Sequence, residues 1–157
     1  TGAAGRAPNV VRSLFMSRDD VEKNNIVLQK KYRRIENKET RFEGAFLDDA
    51  RALVVAYGST SRIATSVVSS LRARGQKVGL FMPISLWPFP KKELLKISSL
   101  CRKILVVEMS YGQMVEDVRL KVDKKAEVGF YGRAGGGVPS EKQIASALAK
   151  LLKKGSR

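Results

Sequence analysis

A three-layer α/β/α domain with a largely parallel sheet, preceded by a helical connector, is the architecture this sequence predicts. Three observations carry it. Short continuous apolar runs such as Ala52-Leu53-Val54-Val55-Ala56-Tyr57 and Ile104-Leu105-Val106-Val107 are the mark of strands buried on both faces. Each run is followed by a stretch whose apolar residues fall three and four apart, the helical period. Glycine, proline or a capping residue stands at most of the changes between them.

Residues 1–18, with Gly2, Gly5 and Pro8, show no period and read as irregular. A helix is expected from Asp19, which can cap with Glu22 as its partner three residues on. Val21, Leu28, Tyr32 and Ile35 make its apolar face, and the remainder is dense in Lys, Arg and Glu. An amphipathic helix ahead of a domain packs on that domain or on its neighbour, so 1–47 is expected to be an interdomain connector and 48–157 the α/β domain.

The first strand is Ala52–Tyr57. Gly58-Ser59-Thr60-Ser61 turns it into a helix with Ile63, Ala64, Val67, Val68 and Leu71 on its apolar stripe, and Gly75 is the stop. The second strand is Lys77–Pro83, followed after Trp87-Pro88-Phe89-Pro90 by a helix from Lys91 to Leu100. The third is Ile104–Glu108, leading through Ser110 and Gly112 to a helix over Gln113–Leu120. The fourth is Val128–Tyr131. The last helix starts at Ser140 with Gln143 as its box partner, and buries Ile144, Leu148, Leu151 and Leu152. Strands alternating with helices mean βαβ crossovers, hence parallel strands with helices on both faces.

Composition narrows the chemistry. The chain has no histidine and one cysteine, Cys101, which removes Ser-His and Cys-His nucleophile pairs, the usual zinc sites and any intrachain disulfide. Cys101 reads as a small buried hydrophobe. No apolar run is long enough for a bilayer, and the expected location is the cytoplasm. Thr1-Gly2-Ala3-Ala4-Gly5-Arg6, without an initiator Met or a signal-peptide core, suggests a fragment of a longer polypeptide. The net charge is +15, and it is uneven: residues 1–50 hold 10 basic and 8 acidic residues, whereas 51–157 hold 20 and 7. A field of that sign attracts anions without choosing among nucleic acid, phosphorylated cofactor and acidic protein. Lys-rich surfaces are also a habit of thermophile proteins.

Ligands of open parallel sheets bind beyond the carboxyl ends of the strands. Ser59, Thr60 and Ser61 offer hydroxyls and free helix N–H groups there, an anion seat; the competing and favoured reading is that Ser59 or Thr60 caps the helix. Gly132-Arg133-Ala134-Gly135-Gly136-Gly137 lacks the Lys-Ser/Thr of a phosphate loop and reads as a connector. Glu108 ends an apolar strand and is suited to orienting a partner group or capping the next helix, but no second acid is placed beside it for acid–base work. Trp87 and Phe89, stiffened by Pro88 and Pro90, form either a core plug or an interface anchor. Met109, Gln113 and Met114 follow the neighbouring strand end and complete, with Glu108, the candidate interface. No catalytic or metal-binding residue is expected.

Taken in order, Ala56-Tyr57-Gly58-Ser59-Thr60-Ser61-Arg62, Pro83-Ile84-Ser85-Leu86-Trp87-Pro88-Phe89-Pro90, Val107-Glu108-Met109-Ser110-Tyr111-Gly112-Gln113-Met114-Val115-Glu116-Asp117-Val118 and Phe130-Tyr131-Gly132-Arg133-Ala134-Gly135-Gly136 resemble the C-terminal, transketolase-type domain of 2-oxoacid:ferredoxin oxidoreductase α chains, nearest to the 2-oxoisovalerate (branched-chain) type. The resemblance covers nearly the whole chain. It implies a complex that decarboxylates a 2-oxoacid on thiamine diphosphate with Mg²⁺, passes electrons through iron–sulfur clusters to ferredoxin and transfers the acyl group to coenzyme A. It implies no cofactor in this fragment, and a role in assembly with the other domains and subunits. Two other readings stand beside it. One is an independent nucleotide-binding α/β module, opposed by the missing glycine fingerprint. The other is a basic nucleic-acid-binding domain, opposed by the lack of interleaved aromatics.

Overall fold

The computed structural model describes residues 3–11 and 14–153. The chain divides into two compact units, Thr1–Lys38 and Glu39–Arg157. The first contains helix α1, Arg18–Lys38. Its cap is Ser17, whose Oγ accepts the amide of Asp20 at 3.4 Å, and not the expected Asp19; Asp19 and Asp20 instead fall in the first turn, where a carboxylate favours the helix dipole. No residue of α1 is buried.

The second unit carries strands β1 (Phe42–Ala45), β2 (Ala52–Ala56), β3 (Val78–Pro83), β4 (Lys103–Glu108) and β5 (Glu127–Gly132), with helices α2 (Ser59–Ala73), α3 (Lys91–Leu100), α4 (Met114–Lys121) and α5 (Glu141–Lys153). They form one sheet in the order β1-β3-β2-β4-β5. β3, β2, β4 and β5 run parallel, as expected. β1 was not anticipated: four residues of the stretch expected as connector add an antiparallel strand beside β3. Phe42 secures it by stacking on Phe81, with ring centroids 4.8 Å apart.

Side-chain alternation along the strands splits the core in two. Ala52, Val54 and Ala56 point with Leu80 and Leu105 toward Val67 and Val68 of α2 and Ile144 and Leu148 of α5. Leu53 and Val55 point with Phe81, Ile104 and Val106 to the opposite face, against Leu94 of α3 and Val115 and Val118 of α4. Val54 stands at the centre, in register with Leu80 on one side and Leu105 on the other. Each such side chain contributes about 1.5–3 kcal/mol by leaving water. Gly75 stops α2 with a φ of +78°, a conformation that penalises any Cβ. Gly79 serves a different need. A Cβ there would come within 2.9 Å of the Phe46 carbonyl oxygen and of the Ala50 Cβ, so its bare backbone lets the β1–β2 connection cross close to β3.

The expected capping box of α5 is present in both directions. Ser140 Oγ accepts the Gln143 amide at 3.3 Å, and Gln143 Oε1 accepts the Ser140 amide at 3.0 Å. Cys101 is 1 % exposed, and burial pushes its thiol up to about 11.

Candidate functional site

The chain reverses direction across the sheet between β2 and β4: β2 leads leftward to β3, and β3 crosses over to β4 on the far side of β2. This switch point, at the carboxyl ends of the strands, is where open α/β sheets hold ligands. Two polar residues, Thr60 and Glu108, are buried there, and both are committed to the fold. Thr60 is 2 % exposed. Its hydroxyl lies 2.6 Å from the carbonyl of Tyr57 and 3.4 Å from that of Val107, donating toward the ends of both strands.

Glu108 is fully buried. Its Oε2 accepts the amides of Gln113 at 3.2 Å and Met114 at 3.0 Å, together with the Ser110 hydroxyl at 2.9 Å; its Oε1 accepts the Val115 amide at 3.0 Å. A carboxylate placed this way satisfies donors that a helix cannot satisfy itself, and complements the positive end of α4. Among the described residues, no buried side-chain nitrogen or oxygen is left without a hydrogen bond.

The start of α2 departs from expectation. Neither Ser59 nor Thr60 caps it: the N-cap is Gly58, with no side-chain hydrogen bond. Thr60 is turned inward as described, and Ser61 donates back to the Gly58 carbonyl at 2.7 Å. Hydroxyls that donate to carbonyls of the preceding turn are not receiving the helix amides. Ser59 is exposed.

Of the six residues expected at an interface, Trp87 (58 % exposed), Met109 (41 % exposed) and Gln113 lie at the surface. Glu108 and Met114 do not: Glu108 lies under the first turn of α4, and Met114, the first residue of that helix, belongs with the half-buried Phe89 to the core on the α3/α4 side of the sheet. In their place the structure exposes Ile84, Leu86 and Tyr111, which the sequence reading had not singled out. Their signal was position: each follows a strand end, outside any helical stripe. Ile84, Leu86 and Trp87 follow β3, while Met109 and Tyr111 follow β4, with β2 between. The two loops are therefore separated by two strand spacings, about 10 Å. The first loop is held by the segment before β1. Ser85 Oγ accepts the Arg41 amide at 2.9 Å and donates to the Pro88 carbonyl at 2.8 Å, and the amides of Ile84 and Ser85 donate to the Arg41 carbonyl. The Trp87–Pro88 bond is cis.

The Gly132–Gly137 turn closes on itself, with the Gly137 amide on the Ala134 carbonyl and Arg133 Nη1 directed at the Val138 carbonyl. A separate groove of about 610 Å³ runs between β5 and α5, floored by Leu105, Gly129, Tyr131 and Leu151 and edged by Lys142 and Lys150. Among the described residues, no three His, Cys, Asp or Glu side chains gather to hold a metal ion. Iron–sulfur clusters require thiolates, and the single buried Cys101 does not fit that role. No helix among the described residues is long and apolar enough to cross a membrane.

Comparison with known proteins agrees with this geometry. The family described as pyruvate:ferredoxin oxidoreductase core domain II matches residues 50–144. The ketoisovalerate oxidoreductase subunit VorB of Methanothermobacter thermautotrophicus is 42 % identical over 143 residues, covering 91 % of this chain and 40 % of that subunit. The chain therefore spans about two-fifths of the length of this relative. A 2-oxoglutarate:ferredoxin oxidoreductase from Magnetococcus marinus, solved with 2-oxoglutarate, coenzyme A and succinyl-CoA bound, superposes with a TM-score of 0.80 at 20 % identity, over 96 % of this chain and 28 % of that one. A split-gene transketolase, an inactive β4 tetramer, superposes with a TM-score of 0.57 at 17 % identity, over 71 % of this chain and 41 % of that one. At those identities the two structures speak for the fold, which is the transketolase-type α/β domain.

Proposed function

The chain belongs to the pyruvate:ferredoxin oxidoreductase core domain II family, and on that premise we propose that it is the structural and assembly domain of a thiamine diphosphate-dependent 2-oxoacid:ferredoxin oxidoreductase, without a reaction centre of its own. The observation that carries the proposal is the contrast at the carboxyl edge of the sheet. The polar groups at the switch point are spent on the fold, while Ile84, Leu86, Trp87, Met109 and Tyr111 present apolar surface around it. Such surface suits another protein better than a small polar substrate. The substrate of the whole complex is a branched-chain 2-oxoacid in this reading, supported by the name of the relative at 42 % identity. Thiamine diphosphate, Mg²⁺, iron–sulfur clusters and coenzyme A belong to other parts of the complex, ferredoxin is its electron acceptor, and the cytoplasm is its compartment. In this reading the stretch 1–47 is the connector to another domain of the complex, its end contributing β1 to the sheet.

Trp87→Ala in the whole subunit tests the reading. A large aromatic at the centre of a protein interface contributes about 2 kcal/mol or more, so association with the partner subunits should weaken by roughly tenfold or more. The far-UV circular dichroism and melting of the subunit should stay near wild type, because the indole is mostly outside the core. Unchanged assembly would count against the proposal.

A further inference from the structure

The positive charge of the sheet unit is concentrated at the end opposite the apolar edge. Every turn that leads into a parallel strand carries exposed cations: Arg74 and Lys77 before β3, Arg51 before β2, Arg102 before β4, and Lys124 and Lys125 before β5. Hydrogen bonds tie these turns together, from the Arg51 amide to the Lys77 carbonyl at 2.8 Å and from the Glu127 amide to the Arg102 carbonyl at 2.7 Å. The four strands are adjacent, so the cations follow one another across the amino edge over roughly 14 Å of backbone, three strand spacings. The acids at this edge, Asp48, Asp49, Asp123 and Glu127, are fewer and offset the band only in part: Asp49 pairs with Arg72 and Lys77, Glu127 pairs with Lys103, and Asp123 keeps its charge beside Lys125, whose amide its carboxylate accepts.

Helix dipoles explain only part of this band. The C-termini of α2, α3 and α4 lie at the same edge and favour a cation in the last turn. Arg72, Arg119 and Lys121 occupy such positions. Arg51, Lys77, Lys124 and Lys125 lie outside the helices, and the dipole effect falls off within a turn. The opposite edge is balanced, with Glu93, Glu116, Asp117 and Glu141 in the first helical turns offsetting its lysines.

We infer that the amino edge of the sheet is a docking surface for the acidic face of a partner protein, with Arg51, Arg102, Lys124 and Lys125 as its centre. The inference rests on charge placement and not on the assembly reading above. A single-stranded nucleic acid is the poorer fit: the exposed aromatic at this edge, Phe46, is covered by the Arg72 guanidinium at 5.0 Å instead of being open to a stacking base, and the carboxylates within the band repel a uniform row of phosphates but can pair with the cations that a protein face also carries.

The test uses the 157-residue chain with poly-L-glutamate as the probe, a charge-matched DNA duplex beside it, and fluorescence anisotropy at low and physiological salt. The chain should bind polyglutamate at low salt and lose that affinity steeply as salt rises. The fourfold variant Arg51→Glu, Arg102→Glu, Lys124→Glu, Lys125→Glu should weaken binding by at least about tenfold. The variant Arg62→Glu, Lys91→Glu, Lys92→Glu, Lys142→Glu changes the net charge equally at the other edge and should cost less than about threefold. Should either charge-reversed variant fail to melt cooperatively, the same two sets changed to Gln give the same comparison. Equal losses from both sets would reduce the band to bulk charge and overturn the inference. So would no binding of polyglutamate, or tighter binding of the duplex that the first set abolishes.

Discussion

Glu108 shows how a single carboxylate can resemble a functional residue and yet be structural. An acid at the end of an apolar strand is conspicuous in sequence, and its service as a helix cap was one of the two uses the sequence allowed. What the sequence did not show is that one carboxylate takes three consecutive amides and a hydroxyl, leaving nothing for a partner group. Met114 misled for a related reason. Five residues beyond Met109 and next to a polar turn, it reads as surface until α4 is seen to lay its first turn over the sheet. Replacing Glu108 with Ala leaves those donors buried and unpaired and should destabilise the domain by about 3 kcal/mol. Glu108→Gln keeps the volume but substitutes an NH₂ for one acceptor and should cost about 2 kcal/mol. Urea unfolding would show both as a lower midpoint at an unchanged slope.

Among the elements, the parallel strands and their helices were legible because each carries a period that its burial enforces: continuous apolar runs for doubly covered strands, and three-four stripes for helices. β1 was not. Phe42-Glu43-Gly44-Ala45 is four residues long with a glycine inside, and what makes it a strand is the stacking of Phe42 on Phe81, some forty positions away. No local pattern reports such a contact. Both core clusters lie wholly within residues 42–152, so a chain beginning at Glu39 should unfold cooperatively with a melting temperature close to that of the longer chain. One beginning at Asp48 loses β1 and uncovers Phe81, and should lose about 3 kcal/mol, the scale of removing a buried aromatic from a core. Paired thermal melts of the two truncations would decide it; equal stability would mean that β1 only decorates the sheet edge.

For the whole molecule, the proposed division of roles between this chain and a larger complex decides what can be measured. The chain accounts for about two-fifths of a related subunit, and among the described residues no group of side chains gathers to hold a metal ion. The isolated chain should therefore show no 2-oxoacid-dependent reduction of a viologen dye, whatever cofactors are added, while the reconstituted complex should show it. Activity of the isolated chain would remove the premise that chemistry resides elsewhere. The sequence disclosed the fold and the family together because the motif blocks coincide with strand ends, where the backbone geometry is most exacting. It disclosed the excess of charge but not its place, since Arg51, Lys77, Arg102 and Lys124 are scattered in sequence and become neighbours only when β3, β2, β4 and β5 align. That alignment has a consequence for control. Histidine is the side chain that ordinarily gains or loses its proton between pH 5 and 8, and this protein has none; burial keeps the Cys101 thiol protonated throughout that interval. Within that interval the amino edge is in effect a fixed electrode, and the concentration of ions around it is the ordinary variable that dims it.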